Sequence, residues 1–308
     1  MPSFAKLSGL VAATHTPFAA DGALNLAVVE KQAEHLTRSG VTVAFIGGTT
    51  GESSSLTVNE RLALAERWMA ATKGSPLKVI VHVGANCLED ARALSSQAGK
   101  LQAAGVSALA PSYFKPGSVS ALVDSMAHVA AGCPSLPFYY YEIPSMTGLS
   151  ISPSDFLAAA ADRIPNLAGI KFTSNNLVEY QLCRAFGGGR FDIPFGFDEM
   201  LLASLALGAT SAVGSSYNFA APIYLRVIEA FKKGDFETAR KEQLTSVELI
   251  RILGRFGYMA AAKATMGFLG VDVGAPRLPN TALKSEQANQ LRTELQRSGF
   301  FERVSKQS

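Results

Sequence analysis

Short apolar runs alternate with amphipathic stretches along the chain as far as about residue 217. The runs at 9–14, 41–47, 78–84, 106–110, 137–141, 168–172, 191–196 and 211–215 are rich in Val, Ile, Ala and aromatic residues. They predict strands of a parallel sheet, buried on both faces. Between them the spacing of apolar positions predicts helices over 24–39, 58–72, 88–104, 118–131, 153–161, 176–186 and 198–207. Start and stop signals support several of these. Thr57 and Glu60 form a potential capping box, Ser152 precedes Pro153, and Gly40 and Gly105 follow helix ends. After Asn218 only helical patterns remain, over 222–233, 235–256, 260–269 and 281–298.

Eight strand–helix units fit a (β/α)8 TIM barrel better than an open sheet, and no GxGxxG follows the first strand. The expected organisation is a barrel over 1–217. The eighth barrel helix and a C-terminal helical extension packed on the barrel then occupy 218–308.

Composition narrows the picture further. With 308 residues, 48% of them hydrophobic and 17% charged, the chain can bury a large core. A net charge of +3 and the lack of basic runs with interleaved aromatics give no case for nucleic acid. Three widely spaced cysteines argue against a disulfide framework. Four isolated histidines offer no metal-ligand spacing, so neither a metal nor a cofactor is expected. The first nine residues lack a signal-peptide pattern and the most apolar stretch, 200–213, is too short for a bilayer. A cytoplasmic protein without membrane partners is the resulting expectation.

One residue stands out against the pattern. Lys171 interrupts the apolar run at 167–173, and lysine is rarely buried without a reason. A desolvated amine loses part of its preference for the proton and becomes a nucleophile able to form a Schiff base with a carbonyl. The competing reading is a strand-end lysine that reaches solvent. Other unusual residues fall at the ends of the predicted strands, where barrel enzymes carry their sites. Gly47-Gly48-Thr49-Thr50-Gly51-Glu52 can gather backbone N–H groups and hydroxyls around a small carboxylate, or be an ordinary turn. Strand alternation puts Tyr139 and Tyr141 on one face, with Tyr140 on the other. Thr173 shares a face with Lys171. Asp198 and Glu199 follow Gly196 at a strand–helix junction, where carboxylates commonly cap the following helix. Ser215 ends the last strand.

GGTTGE at 47–52, YEIP at 141–144, GIKFTS at 169–174, GFDE at 196–199 and GSSYN at 214–218 resemble one family in order and spacing. It is the pyruvate-dependent class I aldolases that include N-acetylneuraminate lyase and dihydrodipicolinate synthase. FYYY before the IP pair and PRLP at 276–279 look more like the animal-type N-acetylneuraminate lyases. Met146 stands where dihydrodipicolinate synthases usually carry an arginine. The resemblance implies a Schiff-base aldolase that cleaves N-acetylneuraminate (sialic acid) to N-acetylmannosamine and pyruvate. By resemblance, Lys171 is the Schiff-base lysine and Tyr141 the proton-transfer residue. Thr49 and Thr50 would hold the pyruvoyl carboxylate. Thr173, Gly196, Asp198, Glu199 and Ser215 would bind the hydroxylated remainder. The resemblance also implies a homotetramer, with Tyr113 a candidate to complete the relay from a neighbouring subunit. Two alternatives remain at this point: another 2-keto acid aldolase or hydratase of the superfamily, and a sugar-acid-binding protein without turnover.

Overall fold

Seven parallel strands pair side by side in the order β6-β5-β4-β3-β2-β1-β7. They are β1 (Gly9–Ala13), β2 (Val43–Ile46), β3 (Lys78–His82), β4 (Gly105–Leu109), β5 (Phe138–Glu142), β6 (Leu167–Phe172) and β7 (Ser211–Gly214). The computed structural model describes residues 4–305. Each connection returns the chain through helical structure to the end of the sheet where the previous strand began, as a parallel pairing requires. The crossover helices are α1 (Val29–Arg38), α2 (Val58–Ala71), α3 (Leu88–Lys100), α4 (Val119–Ala130), α5 (Pro144–Thr147), α6 (Pro153–Ala160), α7 (Leu177–Gly189) and α8 (Leu201–Ala206). The C-terminal part is helical: α9 (Tyr217–Lys232), α10 (Phe236–Arg255), α11 (Tyr258–Phe268), α12 (Ser285–Arg297) and α13 (Phe300–Ser305). The result is a curled parallel sheet surrounded by helices, an α/β architecture of the TIM-barrel kind.

Alternation along the strands divides the core in two. Val11, Phe45, Ile80, Tyr139, Tyr141 and Val213 fill the inner side of the curl. Tyr140, Phe172, Leu10 and Ala44 face outward into the larger core under the helices. There Tyr140 meets Phe156 of α6 with ring centroids 4.5 Å apart. Deleting a buried ring of this kind costs about 3–5 kcal/mol. The Thr57–Glu60 capping box at the start of α2 is formed as expected.

The segment expected as a seventh strand, 191–196, is not a continuous strand. It makes isolated bridges to both neighbours, Gly169 with Asp192, Phe172 with Phe195 and Phe195 with Ala212. Its backbone bonds to β6 (Ile170 N–H to Asp192 O, 3.1 Å) and to β7 (Val213 N–H to Phe195 O, 2.8 Å). Pro194 explains the interruption: its carbonyl accepts from Phe172 N–H at 3.0 Å, but it has no N–H to give back.

A second departure also traces to proline. The helix expected from Pro222 begins five residues earlier, at Tyr217, and contains Pro222. Proline leaves the carbonyl four residues before it without a helical donor. That carbonyl, Asn218 O, accepts instead from His35 Nε2 at 2.8 Å, and Ala220 departs from helical geometry. Two short helices, α5 and α13, had no expectation in the sequence. Cys87, Cys133 and Cys183 are free thiols.

Candidate active site

Tyr141 and Lys171 are direct register partners on β5 and β6, so both side chains enter the inner side of the curl at one level. Lys171 is 4% exposed. Its Nζ lies 3.5 Å from the centroid of the Tyr141 ring and 4.3 Å from that of Phe45. Two aromatic faces stabilise a cation only partly. Burial wins, and the amine is pulled below the ordinary lysine range, with Tyr141 and Asp198 opposing the shift. The strand-end reading, with the amine in solvent, is excluded.

Phe45 packs against His82 with ring centroids 5.9 Å apart, and the His82 ring meets Tyr141 edge-on at 5.5 Å. Both ring nitrogens of His82 are buried without partners, and burial, with Arg61 and Lys171 adding to it, pushes its pKa far down. It is therefore a neutral packing group in this position.

The loop after β2 brings Thr49 to the same place. Its Oγ1 lies 3.3 Å from the Tyr141 hydroxyl, and Thr50 beside it is half-buried. A turn shapes the loop, with Glu52 N–H donating to Thr49 O at 3.0 Å. Glu52 does not face the site. Its carboxylate is buried and pairs with Lys263 of α11 at 2.8 Å.

Asp198, Glu199 and Ser215 come from the two neighbouring strand ends. Asp198 is buried, and its Oδ2 accepts from the N–H of Ser216 at 2.8 Å and from the Ser216 hydroxyl. The Ser216 hydroxyl lies 2.6 Å from that of Tyr224. Helix capping by Asp198 on its own following turn is not found: no side-chain cap is present there, and the carboxylate reaches across to the start of α9 instead. Burial raises Asp198 to about 7, with Ser216 and Lys171 opposing and Glu199 adding to the rise. Glu199 is half-buried next to it. Ser215 Oγ is 2.6 Å from the hydroxyl of Tyr258 on α11.

Thr173, just past the end of β6, has a buried Oγ1 with no protein partner. A side chain on Gly196 would overlap that oxygen, and one on Gly214 would overlap the Asp198 carboxylate. Both positions therefore require glycine for close approach. Glu142, also buried, receives the Thr173 N–H on Oε2 at 3.1 Å. Burial, reinforced by Glu179, raises Glu142 to about 7 against the pull of that hydrogen bond. All nine residues singled out in the sequence thus lie at one end of the sheet. Glu142, Tyr258 and the Glu52–Lys263 pair were not anticipated. Tyr113 and Phe114, 79% and 85% exposed, form an aromatic edge on the loop after β4. Among the described residues no three His, Cys, Asp or Glu side chains gather as a metal site, and no helix is long and apolar enough to cross a membrane.

The dihydrodipicolinate synthetase family model matches residues 6–298. The chain belongs to that family. It is similar to N-acetylneuraminate lyase from Gallus gallus, with 39% identity over 91% of this chain and 92% of the relative. Among solved structures it resembles Proteus mirabilis N-acetylneuraminate lyase, with 45% identity, a TM-score of 0.94 and coverage of 96% of this chain and 100% of the other. The sialic acid aldolase from Aliivibrio salmonicida is similar at 44% identity and a TM-score of 0.94, covering 96% of this chain and 98% of the other.

Proposed function

We propose that this chain is a Schiff-base carbon–carbon lyase that cleaves N-acetylneuraminate to N-acetylmannosamine and pyruvate. The observation that carries this reading is the Lys171 amine, desolvated and 3.5 Å from the Tyr141 ring in a pocket that also holds a threonine hydroxyl. The similar proteins from Gallus gallus and Proteus mirabilis bear the lyase name, which favours sialic acid over a shorter keto acid.

In this mechanism Thr49 and Thr50 hold the carboxylate and bring the keto carbon to Lys171. The amine adds to that carbon, water leaves, and an iminium forms. The iminium withdraws electrons from the adjacent carbon. Tyr141 removes the proton of the hydroxyl one carbon further on, and the carbon–carbon bond between them breaks. The aldehyde departs as N-acetylmannosamine. The remaining enamine takes a proton, and water releases pyruvate and regenerates the amine. Thr173, Gly196, Asp198, Glu199 and Ser215 bind the polyhydroxylated tail. Paired carboxylates suit vicinal hydroxyls because each oxygen accepts hydrogen bonds strongly.

The same reading takes segment 191–196 as the seventh of eight staves in a closed barrel over 1–217, with 218–308 supplying the last barrel helix and the extension. It also takes the protein as a cytoplasmic homotetramer in which Tyr113 reaches a neighbour's site; light scattering of the purified chain tests the assembly. The decisive test of function is a substrate panel. N-acetylneuraminate should yield equimolar pyruvate and N-acetylmannosamine, whereas pyruvate release only from shorter keto acids would move the assignment elsewhere in the superfamily.

A further inference from the structure

The second buried lysine, Lys263, has no part in the chemistry above, yet it is buried and fully hydrogen-bonded. It is 1% exposed. Its Nζ donates to Glu52 Oε1 at 2.8 Å, to Thr16 O at 2.9 Å and to Ala275 O at 3.1 Å, which uses all three of its protons. The other Glu52 oxygen accepts from Arg277 N–H at 2.8 Å. The Arg277 side chain in turn bonds Gly22 O and Ser55 O, each at 2.9 Å, and Glu60. The Phe18 ring sits between the two cations, 4.3 Å from each.

All of this converges on one short loop. Glu52 ends the GGTTGE segment and adopts φ 55°, a left-handed conformation that costs a non-glycine residue energy. Three residues earlier is Thr49, against Tyr141. Thr16 also donates to Gly51 O at 2.6 Å, so the loop's exit is fixed from two sides. A buried ion pair adds little net stability compared with apolar side chains of similar size. What these hydrogen bonds do fix is the position of Glu52, three residues from Thr49 and two from Thr50.

We propose that Glu52 and Lys263 are positioning residues for the carboxylate end of the substrate, through which α11 and the segment after it fix the loop carrying Thr49 and Thr50. The proposal rests on the Schiff-base reading of Lys171 and the threonine pair. It gives the C-terminal helices a specific role at the pyruvate end of the site, away from the sugar-binding carboxylates.

The test uses the full chain with the double substitution Glu52→Gln and Lys263→Met. A glutamine keeps an oxygen that can accept from Arg277 N–H and carries no charge, so with Lys263 also neutral no charge is left buried alone. Borohydride trapping on Lys171 is titrated with pyruvate, and condensation is titrated with N-acetylmannosamine at saturating pyruvate. The half-saturating pyruvate concentration should rise roughly tenfold or more, as expected for misplaced hydrogen-bond donors to a carboxylate. The half-saturating N-acetylmannosamine concentration should stay near that of the unsubstituted protein. An unchanged pyruvate response, or an equal rise for both substrates, overturns the proposal. If the double variant does not fold, Arg277→Ala, nearer the surface, releases the same segment and is judged by the same two titrations. Failure of the unsubstituted protein to be trapped on Lys171 would instead overturn the Schiff-base reading itself.

Discussion

Glu142→Gln should make the protein more stable, by an amount that grows as pH rises from about 4.5 to above 7. The substitution keeps an oxygen to accept the Thr173 N–H that Glu142 Oε2 now accepts at 3.1 Å, and it removes the charge. Burial raises this carboxyl from 4.5 to about 7, with Glu179 of α7 adding to the rise. That difference corresponds to about 3 kcal/mol of preference for the protonated form in the folded state. A carboxyl whose folded pKa is raised contributes stability that is fully present below its unfolded pKa. That contribution is lost as pH climbs through the folded value. The unsubstituted protein therefore loses up to about 3 kcal/mol between pH 4.5 and somewhat above 7, and the glutamine variant does not. Urea unfolding of both proteins at fixed concentration, from pH 4.5 to 8.5, reads the difference directly; other carboxyls such as Asp198 are common to both and cancel. Equal stability at pH 4.5 and an advantage for the variant that grows towards pH 8 is the expected pattern. A difference independent of pH, or a variant less stable at pH 8, would show that Glu142 is not held in the protonated form by burial.

Tyr141→Phe removes one hydroxyl from a packed ring and should lower turnover by roughly 10²–10⁴-fold while pyruvate trapping survives in part, measured by steady-state kinetics beside mass spectrometry. Glu199→Gln should weaken N-acetylneuraminate specificity by roughly 10–150-fold, the loss of one charged hydrogen bond, and leave pyruvate trapping near normal. Equal damage to both would remove Glu199 from the sugar-binding face. Because burial raises Asp198 to about 7, it is increasingly ionised as pH rises through that value. The half-saturating N-acetylmannosamine concentration should therefore fall over the same range, and Asp198→Asn should flatten the profile.

Much of the candidate site was legible because its residues break local rules. A lysine in an apolar strand, glycines beside hydroxyls and paired acids at a junction all stand out against a period-two or period-3.6 background. Lys263 broke the same rule, lying in the apolar run from Ala260 to Met266, but a helix offers a lysine one exposed side and the signal was weaker. Its partner Glu52 is distant in sequence, and such pairings are set by packing that no local pattern encodes. Glu142 was hidden for a related reason, since it belongs to a tyrosine-rich strand whose alternation says only that it faces away from Tyr141. The two misplaced boundaries both lie at prolines, in opposite senses. Pro194 has no N–H to complete a ladder and breaks an expected strand into isolated bridges, whereas Pro222 is carried inside a helix because His35 satisfies the carbonyl that it leaves free.

The central claim is that Lys171 forms a covalent imine with the keto acid. Borohydride reduction in the presence of N-acetylneuraminate, followed by peptide mass spectrometry, tests it most directly. A single adduct on the peptide containing Lys171, abolished in Lys171→Arg because a guanidinium stays protonated, is the predicted result. An adduct on Lys263 or any other lysine, or turnover without an adduct, would contradict the account.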